Sequence, residues 1–134
     1  MLEAYSSGKT IASDGVIPFE NVAMIKGDTA TLSGTNTIQL NRCGVYAVTL
    51  AVTGLPSAAG TVSVEITKNG VQQAEIAVPN GVTTAGTSVT LPTLVQVRES
   101  NGPCCCKAPT ILRVINTGVG LSNASAQIVI TKVC

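Results

Sequence analysis

Large apolar residues alternate with smaller or polar ones through residues 45–53 of this chain. An alternation with a period of two, in which one side is uniformly apolar, predicts a β-strand with one fully buried face. The large side chains that would share the buried side are Tyr46, Val48, Leu50 and Val52. We therefore expect this segment to be a core strand, and the rest of the chain repeats its pattern.

Residues 61–78 carry the same alternation on both sides of an Asn-Gly pair, which predicts a β-hairpin. A two-residue turn at that pair would set Val64 opposite Glu75 and mix the two faces. A three-residue loop that begins at Lys68, with its glycine in the left-handed region, sets Val64 opposite Ala74 and keeps one face apolar. The sequence therefore favours the three-residue loop.

Further alternating segments lie at 89–98, 110–116 and 126–133, and no segment shows a helical period. The loops between the segments are rich in Gly, Pro, Asn and Ser, which are typical turn residues. About eight short strands at spacings of roughly ten residues predict an all-β sandwich or barrel.

The chain of 134 residues is long enough for one domain with a sizeable core, and too short for two. Residues 1–15 are rich in small and polar residues, so we expect a flexible or extended arm, either a disordered tail or an anchor to a larger assembly. Residues 16–134 then form the single domain. Pro18 near its start suits a first or edge strand.

Composition bears on the state of assembly. Hydrophobic residues make up 45% of the chain and charged residues 11%, less than half of the roughly 25% usual in soluble domains. The net charge is only +1, so that self-repulsion is weak. A monomer of this composition would expose much apolar surface, and the sequence therefore favours burial of that surface between subunits.

The same composition argues against nucleic acid and membrane partners. The eight Lys and Arg residues are scattered along the chain. With only two Tyr and one Phe, the chain has almost no aromatic side chains on which nucleic-acid bases could stack. No apolar run approaches the roughly 20 residues of a membrane-spanning helix. Residues 1–15 contain no apolar core of a secretory signal peptide, so we expect synthesis in the cytoplasm.

Candidate chemistry is sparse. The chain has no His, which removes the commonest general base and the usual Ser-His and Cys-His nucleophile pairs. Glu65 and Glu75 share one face of the hairpin, where solvated carboxylates are a simpler interpretation than an acid/base pair. Gly8-Lys9-Thr10 resembles the end of a phosphate-binding loop, but Glu3 stands where that motif needs a glycine. The sequence predicts no enzyme, no cofactor and no metal site.

Cysteines are the one unusual feature, because three of the five are consecutive. Their spacing matches no zinc-ribbon pattern. Three interpretations stay open: small hydrophobes and loop residues, disulfides that form after release from a reducing cytosol, or a metal or thiol cluster on a symmetry axis to which each subunit contributes sulfur. The residues concerned are Cys43, Cys104, Cys105, Cys106 and Cys134.

Several segments, in order along the chain, resemble the jelly roll of the C1q/TNF-like superfamily. They are a Gly-x-Tyr followed by alternating apolar residues at 44–48, an Ile-Pro-Phe at 17–19, the Lys-Asn-Gly at 68–70 and a last strand around 128–130. The resemblance covers about residues 16–133. Small phage head-fibre and capsid-decoration proteins and bacterial spore-surface heads are the most similar members.

This resemblance implies a homotrimer in which each protomer packs two antiparallel sheets in jelly-roll order. It makes Tyr46 a residue of the core or of the trimer axis, and we group Phe19, Val48 and Leu50 with it as core or trimer-interface residues. The chain lacks the Gly-X-Y stalk of spore-surface and C1q members and is poorer in aromatic residues than the cytokines.

The function expected from these observations is that of a structural virion protein, a trimeric head-fibre or capsid-decoration protein exposed on a phage particle. Its expected partners are its own copies and a capsid or other virion protein, bound through residues 1–15. The alternative is a surface-displayed adhesin that recognises a host glycan or protein, for which Tyr5 is the one candidate sugar platform.

Overall fold

The computed structural model describes residues 1–27, 30–34, 36–42, 44–81, 86–97 and 110–133, and these ranges contain ten β-strands and no helix. The strands are β1 (Leu2–Ile11), β2 (Asn21–Ile25), β3 (Ala30–Ser33), β4 (Thr37–Leu40), β5 (Gly44–Pro56), β6 (Gly60–Lys68), β7 (Val71–Gly81), β8 (Thr87–Val97), β9 (Thr110–Asn116) and β10 (Leu121–Lys132).

The strands form two five-stranded antiparallel sheets. Sheet A has the order β2-β1-β10-β5-β8, and sheet B has the order β3-β4-β9-β6-β7. Most neighbours within a sheet are distant in the chain, because β10 pairs with β1 and β5, and β9 pairs with β4 and β6. This arrangement confirms the predicted all-β, two-sheet jelly-roll sandwich.

The core lies between the two sheets and is built from their inward faces. The strand predicted at residues 45–53 is the centre of β5, where buried and partly exposed positions alternate. Tyr46 and Leu50 are 0% exposed and Val48 1%. Phe19 joins them in the core at 1% exposure, although it precedes β2 and belongs to no strand.

Residues 1–15 differ from the predicted flexible arm, because most of them form β1, which has a partner strand on each side. Leu2 and Ala4 are 0% exposed and Ile11 3%, so this strand contributes to the core. The small and polar residues between them obscured the alternation that buries these three side chains. The domain therefore includes β1, and the predicted boundary at residue 16 is corrected.

The predicted hairpin is present as β6 and β7, but its predicted three-residue loop is wrong. Asn69 and Gly70 form a two-residue turn with φ angles of 51° and 84°, and both angles suit a type I′ turn. A β-bulge in β7 at Gln73 then shifts the register, so that Val64 faces Ile76. The one extra residue restores the apolar face that a regular two-residue hairpin would have mixed.

Buried hydrogen bonds tie the loops at one end of the sandwich together. Asn116, 0% exposed, donates from Nδ2 to the carbonyl oxygens of Val119 at 2.9 Å and Ala12 at 3.3 Å. Its Oδ1 accepts a hydrogen bond from the backbone N of Gly118 at 3.2 Å. The segment after β1 and the β9–β10 connection are thereby fixed to each other.

Candidate interaction face of sheet A

The side of sheet A that points away from the core is an open surface, here called the outward face. The alternation in β5 places its smaller residues on this side of the sheet. The strand register sets the outward-facing residues of the neighbouring strands beside these small residues of β5. Two rows across the sheet illustrate it: Thr90, Ala51, Gln127, Tyr5 in one, and Pro92, Thr49, Val129, Glu3 in the next.

The outward face carries almost no charge. Among its described residues on β1, β5, β8 and β10, Glu3 is the one charged side chain, and its Oε1 accepts a hydrogen bond from Gln127 Nε2 at 2.7 Å. The outward side of sheet B differs, because Glu65 and Glu75 lie directly opposite each other there and Arg113 is close by on β9. Burial of the outward face of sheet A would therefore desolvate few ions.

Exposed apolar side chains concentrate on sheet A. In the described part of the chain seven large hydrophobic residues are exposed, and five of them belong to sheet A strands. These five are Tyr5 on β1, Val22, Met24 and Ile25 on β2, and Leu94 on β8. Large exposed apolar patches mark surfaces that bind a partner.

A shallow hollow of about 340 Å³ lies on the outward face, where β1, β10 and β5 run side by side. Tyr5 and Gln127 stand beside it, and the other lining residues are small. They are Ser6, Ser7, Ala51, Thr53, Ser125 and Ala126. None of these residues is charged, so the hollow suits an apolar or hydroxyl-bearing occupant.

The described residues show no constellation suited to catalysis. They contain no cluster of three or more potential metal ligands. The Glu65 and Glu75 carboxylates lie on the open side of sheet B. The Lys9 Nζ lies 2.9 Å from a carboxylate oxygen of Glu20, and Gly8 is part of strand β1, so the Gly-Lys-Thr tripeptide does not form a phosphate-binding loop.

The four residues assigned to the core or the trimer interface all lie within one protomer's core. Phe19, Tyr46, Val48 and Leu50 are buried between the sheets, on the opposite side of sheet A from the outward face. The five cysteines, Cys43, Cys104, Cys105, Cys106 and Cys134, lie outside the described residues, and the three interpretations of them stay predictions.

The Tyr46 phenol is an ionisable group that lies inside the core. Its hydroxyl donates a hydrogen bond of 2.7 Å to the carbonyl oxygen of Arg42. Burial raises the pKa of Tyr46 above its ordinary value, whereas that hydrogen bond and the Arg42 charge oppose the rise. The side chain is therefore a neutral part of the core at physiological pH.

Sequence reasoning identified Tyr5 but missed the surface to which it belongs. Residues 1–15 were expected to be an arm, so Tyr5 was not placed beside Ala51 and Gln127. Leu94 was missed because Pro92 interrupts the alternation; in the structure Pro92 is tolerated because β8 is an edge strand. The small outward residues of β5 were the available signal.

Comparison with known proteins identifies the fold. No protein-family model and no curated protein sequence matches the chain. Among solved structures, the vertex protein P5 of the phage PRD1 is similar with a TM-score of 0.66 and 20% identity, over 99% of this chain and 96% of that one. The Eiger TNF of S. frugiperda has a TM-score of 0.68 and 17% identity, over 98% of this chain and 92% of that one.

Murine APRIL is similar as well, with a TM-score of 0.61 and 7% identity over 98% of each chain. The chain has the TNF-like jelly-roll fold, as the sequence resemblance predicted. These similar structures are a phage vertex protein and TNF-type proteins. In the described part of the chain, no helix has the length and apolarity needed to cross a bilayer.

Proposed function

We propose that this protein is a non-enzymatic structural component of a phage particle and that it self-associates as a homotrimer through the outward face of sheet A. The near absence of charge on that face carries the proposal. A surface whose described residues include one carboxylate, and which carries the exposed large apolar side chains of Tyr5, Met24 and Leu94, is suited to burial against a partner.

The size of the face supports self-association. Four long strands and the short β2, spaced about 4.8 Å apart with an overlap of about ten residues at ~3.3 Å each, cover roughly 700 Å². One partner in a standard protein–protein interface contributes about 800 Å². The outward face is therefore large enough for a stable contact between copies.

Location on a virion is supported by the likeness to the PRD1 vertex protein over nearly the whole of both chains. The contact with a capsid or other virion protein was expected through residues 1–15, but β1 is held in the sheet between β2 and β10.

Sedimentation velocity at micromolar concentration tests the assembly. The wild-type protein should sediment as a trimer. Thr49→Arg places a charge at the centre of the outward face and should dissociate it, whereas Thr61→Arg, at an exposed threonine on the outward side of sheet B, should not. A wild-type protein that sediments as a monomer contradicts the proposal.

Particle location is tested separately. Particles released from the bacterium that encodes the chain, purified on a density gradient, should contain its peptides by mass spectrometry in the fraction that holds the major capsid protein. If the peptides stay in the cell lysate and are absent from the particle fraction, the virion assignment is wrong.

A second candidate function, glycan recognition by a surface-displayed adhesin, is favoured by one observation. The exposed ring of Tyr5 stands beside a hollow lined by the hydroxyl-bearing residues Ser7, Thr53 and Ser125. An aromatic platform with several hydroxyl groups suits a saccharide. Binding on a glycan array that Tyr5→Ala abolishes would support this function, and an array without hits would remove it.

A further inference from the structure

Two complementary features share the outward face of sheet A. Leu94, on edge strand β8, is 66% exposed and has the largest exposed fraction among the exposed large hydrophobic residues of the described chain. The second feature is the hollow of about 340 Å³ over β1, β10 and β5. One is an apolar projection and the other an uncharged depression on the same surface.

Leu94 cannot occupy the hollow of its own chain. It faces Ala47 across the β5–β8 pair, whereas the hollow is centred farther along β5, at Ala51. Four residues of extended strand separate these two alanines, which is about 13 Å at ~3.3 Å per residue. The projection and the hollow are fixed at different points of one rigid sheet, so a contact between them requires two molecules.

The chemistry of the two features matches. At about 30 Å³ per water molecule, the hollow has the volume of roughly eleven waters, ample for a leucine side chain. Its floor is formed by small side chains such as Ala51 and Ser125, and no lining residue is charged. Moving Leu94 into it removes apolar surface from water on both molecules and desolvates no ion.

We infer that Leu94 of one copy fills the hollow of a second copy of this chain. The contact joins different parts of the two surfaces and is therefore heterologous; repeated around a threefold axis, it closes a ring of three. The edge position of β8 suits this role. Leu94 lies at the border of the sheet, so it can contact a neighbouring copy without covering the outward side of β5 and β10 in its own chain. This inference rests on the proposed self-association and specifies which residues meet.

A double-mutant cycle tests the contact. Leu94→Ala removes the projection and Ala51→Phe fills the hollow, so each should raise the concentration at which half the protein is dissociated by roughly tenfold or more. Each single substitution already abolishes the same contact. In the double variant the second substitution should therefore raise the dissociation concentration little further. Losses that multiply independently would overturn the inference.

Matched controls separate this contact from general effects on the fold. Val71→Ala changes an aliphatic residue that is 63% exposed on the hairpin, and Ala77→Phe adds a ring at an exposed position of β7. Both should leave dissociation unchanged. Thermal unfolding monitored by circular dichroism should be cooperative in all variants, because both test positions lie on the outward face and outside the core.

The outcomes distinguish this inference from the proposed function. A monomeric wild-type protein removes both. A trimer that is unaffected by Leu94→Ala and Ala51→Phe keeps the proposed function and overturns this contact, and a dimer overturns the threefold closure. If the intact trimer binds a saccharide and Ala51→Phe abolishes that binding, the hollow is open in the trimer, which would also overturn the inference.

Discussion

Asn69 and Ile111 are joined by two reciprocal hydrogen bonds that fasten the tip of the β6–β7 hairpin to the start of β9. The backbone N of Asn69 donates to the carbonyl oxygen of Ile111 at 2.8 Å, and the backbone N of Ile111 donates to Asn69 Oδ1 at 2.9 Å. Asn69 also has a positive φ of 51°, which asparagine tolerates better than most residues. One side chain thus serves the turn and its attachment to the sheet.

Asn69→Gly should separate these two roles. Glycine accepts the positive φ, so the substitution removes the Oδ1 hydrogen bond alone and should cost about 1 kcal/mol of unfolding free energy. Asn69→Ala loses the bond and adds backbone strain, and should cost about 2 kcal/mol. Urea denaturation measures both changes, and equal stability of the two variants would show that strain plays no part.

Asn116→Ala should be among the most damaging polar substitutions in the described chain. It removes three hydrogen bonds made by a fully buried amide and leaves the carbonyl oxygens of Ala12 and Val119 without that donor. The expected loss is about 2–4 kcal/mol. Asn36→Ala, at an exposed position, is the matched control and should change the unfolding free energy by less than about 0.5 kcal/mol.

Gly118→Ala should also destabilise the fold, for a steric reason. A Cβ at this position would press against the carbonyl oxygen of Thr61 and the backbone N of Ser63, and neither backbone atom can move without disturbing β6. We expect a loss of about 1–3 kcal/mol, measured by thermal unfolding. Gly86→Ala is the control, because a Cβ there would make only an ordinary contact at 3.9 Å from the carbonyl oxygen of Gly54; a similar loss there would contradict the steric explanation.

Ser6→Ala should stabilise the protein. Ser6 is 2% exposed, and its Oγ is buried without a hydrogen-bond partner in the described structure. A buried unsatisfied hydroxyl costs about 1–3 kcal/mol, and alanine removes it while leaving only a small void. The melting temperature should therefore rise. Ser33→Ala changes an exposed serine on sheet B and should leave the melting temperature as it is.

Tyr46→Phe should change how stability depends on alkaline pH. The folded state raises the pKa of Tyr46 above 10.0, so the unfolded chain releases this proton first. The stability that comes from the protonated phenol is therefore complete below about pH 10 and is lost as the pH rises through the folded-state pKa. Phenylalanine cannot ionise, so the variant lacks this loss.

Below pH 10 the wild-type protein should be more stable than Tyr46→Phe by about 1 kcal/mol, because of the hydrogen bond to Arg42. The difference should shrink as the pH rises further, as measured by urea denaturation across a pH series. A difference between wild type and Tyr46→Phe that is constant with pH would contradict this assignment.

The sequence by itself determined the class of fold and the inward face of its best strand. Periodicity placed Tyr46, Val48 and Leu50 in the core, and the Asn-Gly pair placed the hairpin, because both signals act between residues close in the chain. Low charge predicted a surface to be buried. The order of the recognised segments predicted the jelly roll.

Only the tertiary structure decided which distant segments became neighbours. It placed β1 in sheet A, where Glu3 meets Gln127, and it brought Tyr5, Ala51 and Leu94 onto one face. The bulge at Gln73 sets the register of the hairpin. Asn116 forms hydrogen bonds with residues of two loops that are distant in the chain. Local periodicity contains no information on such pairings, since they depend on which edges and faces remain free once the sheets have packed.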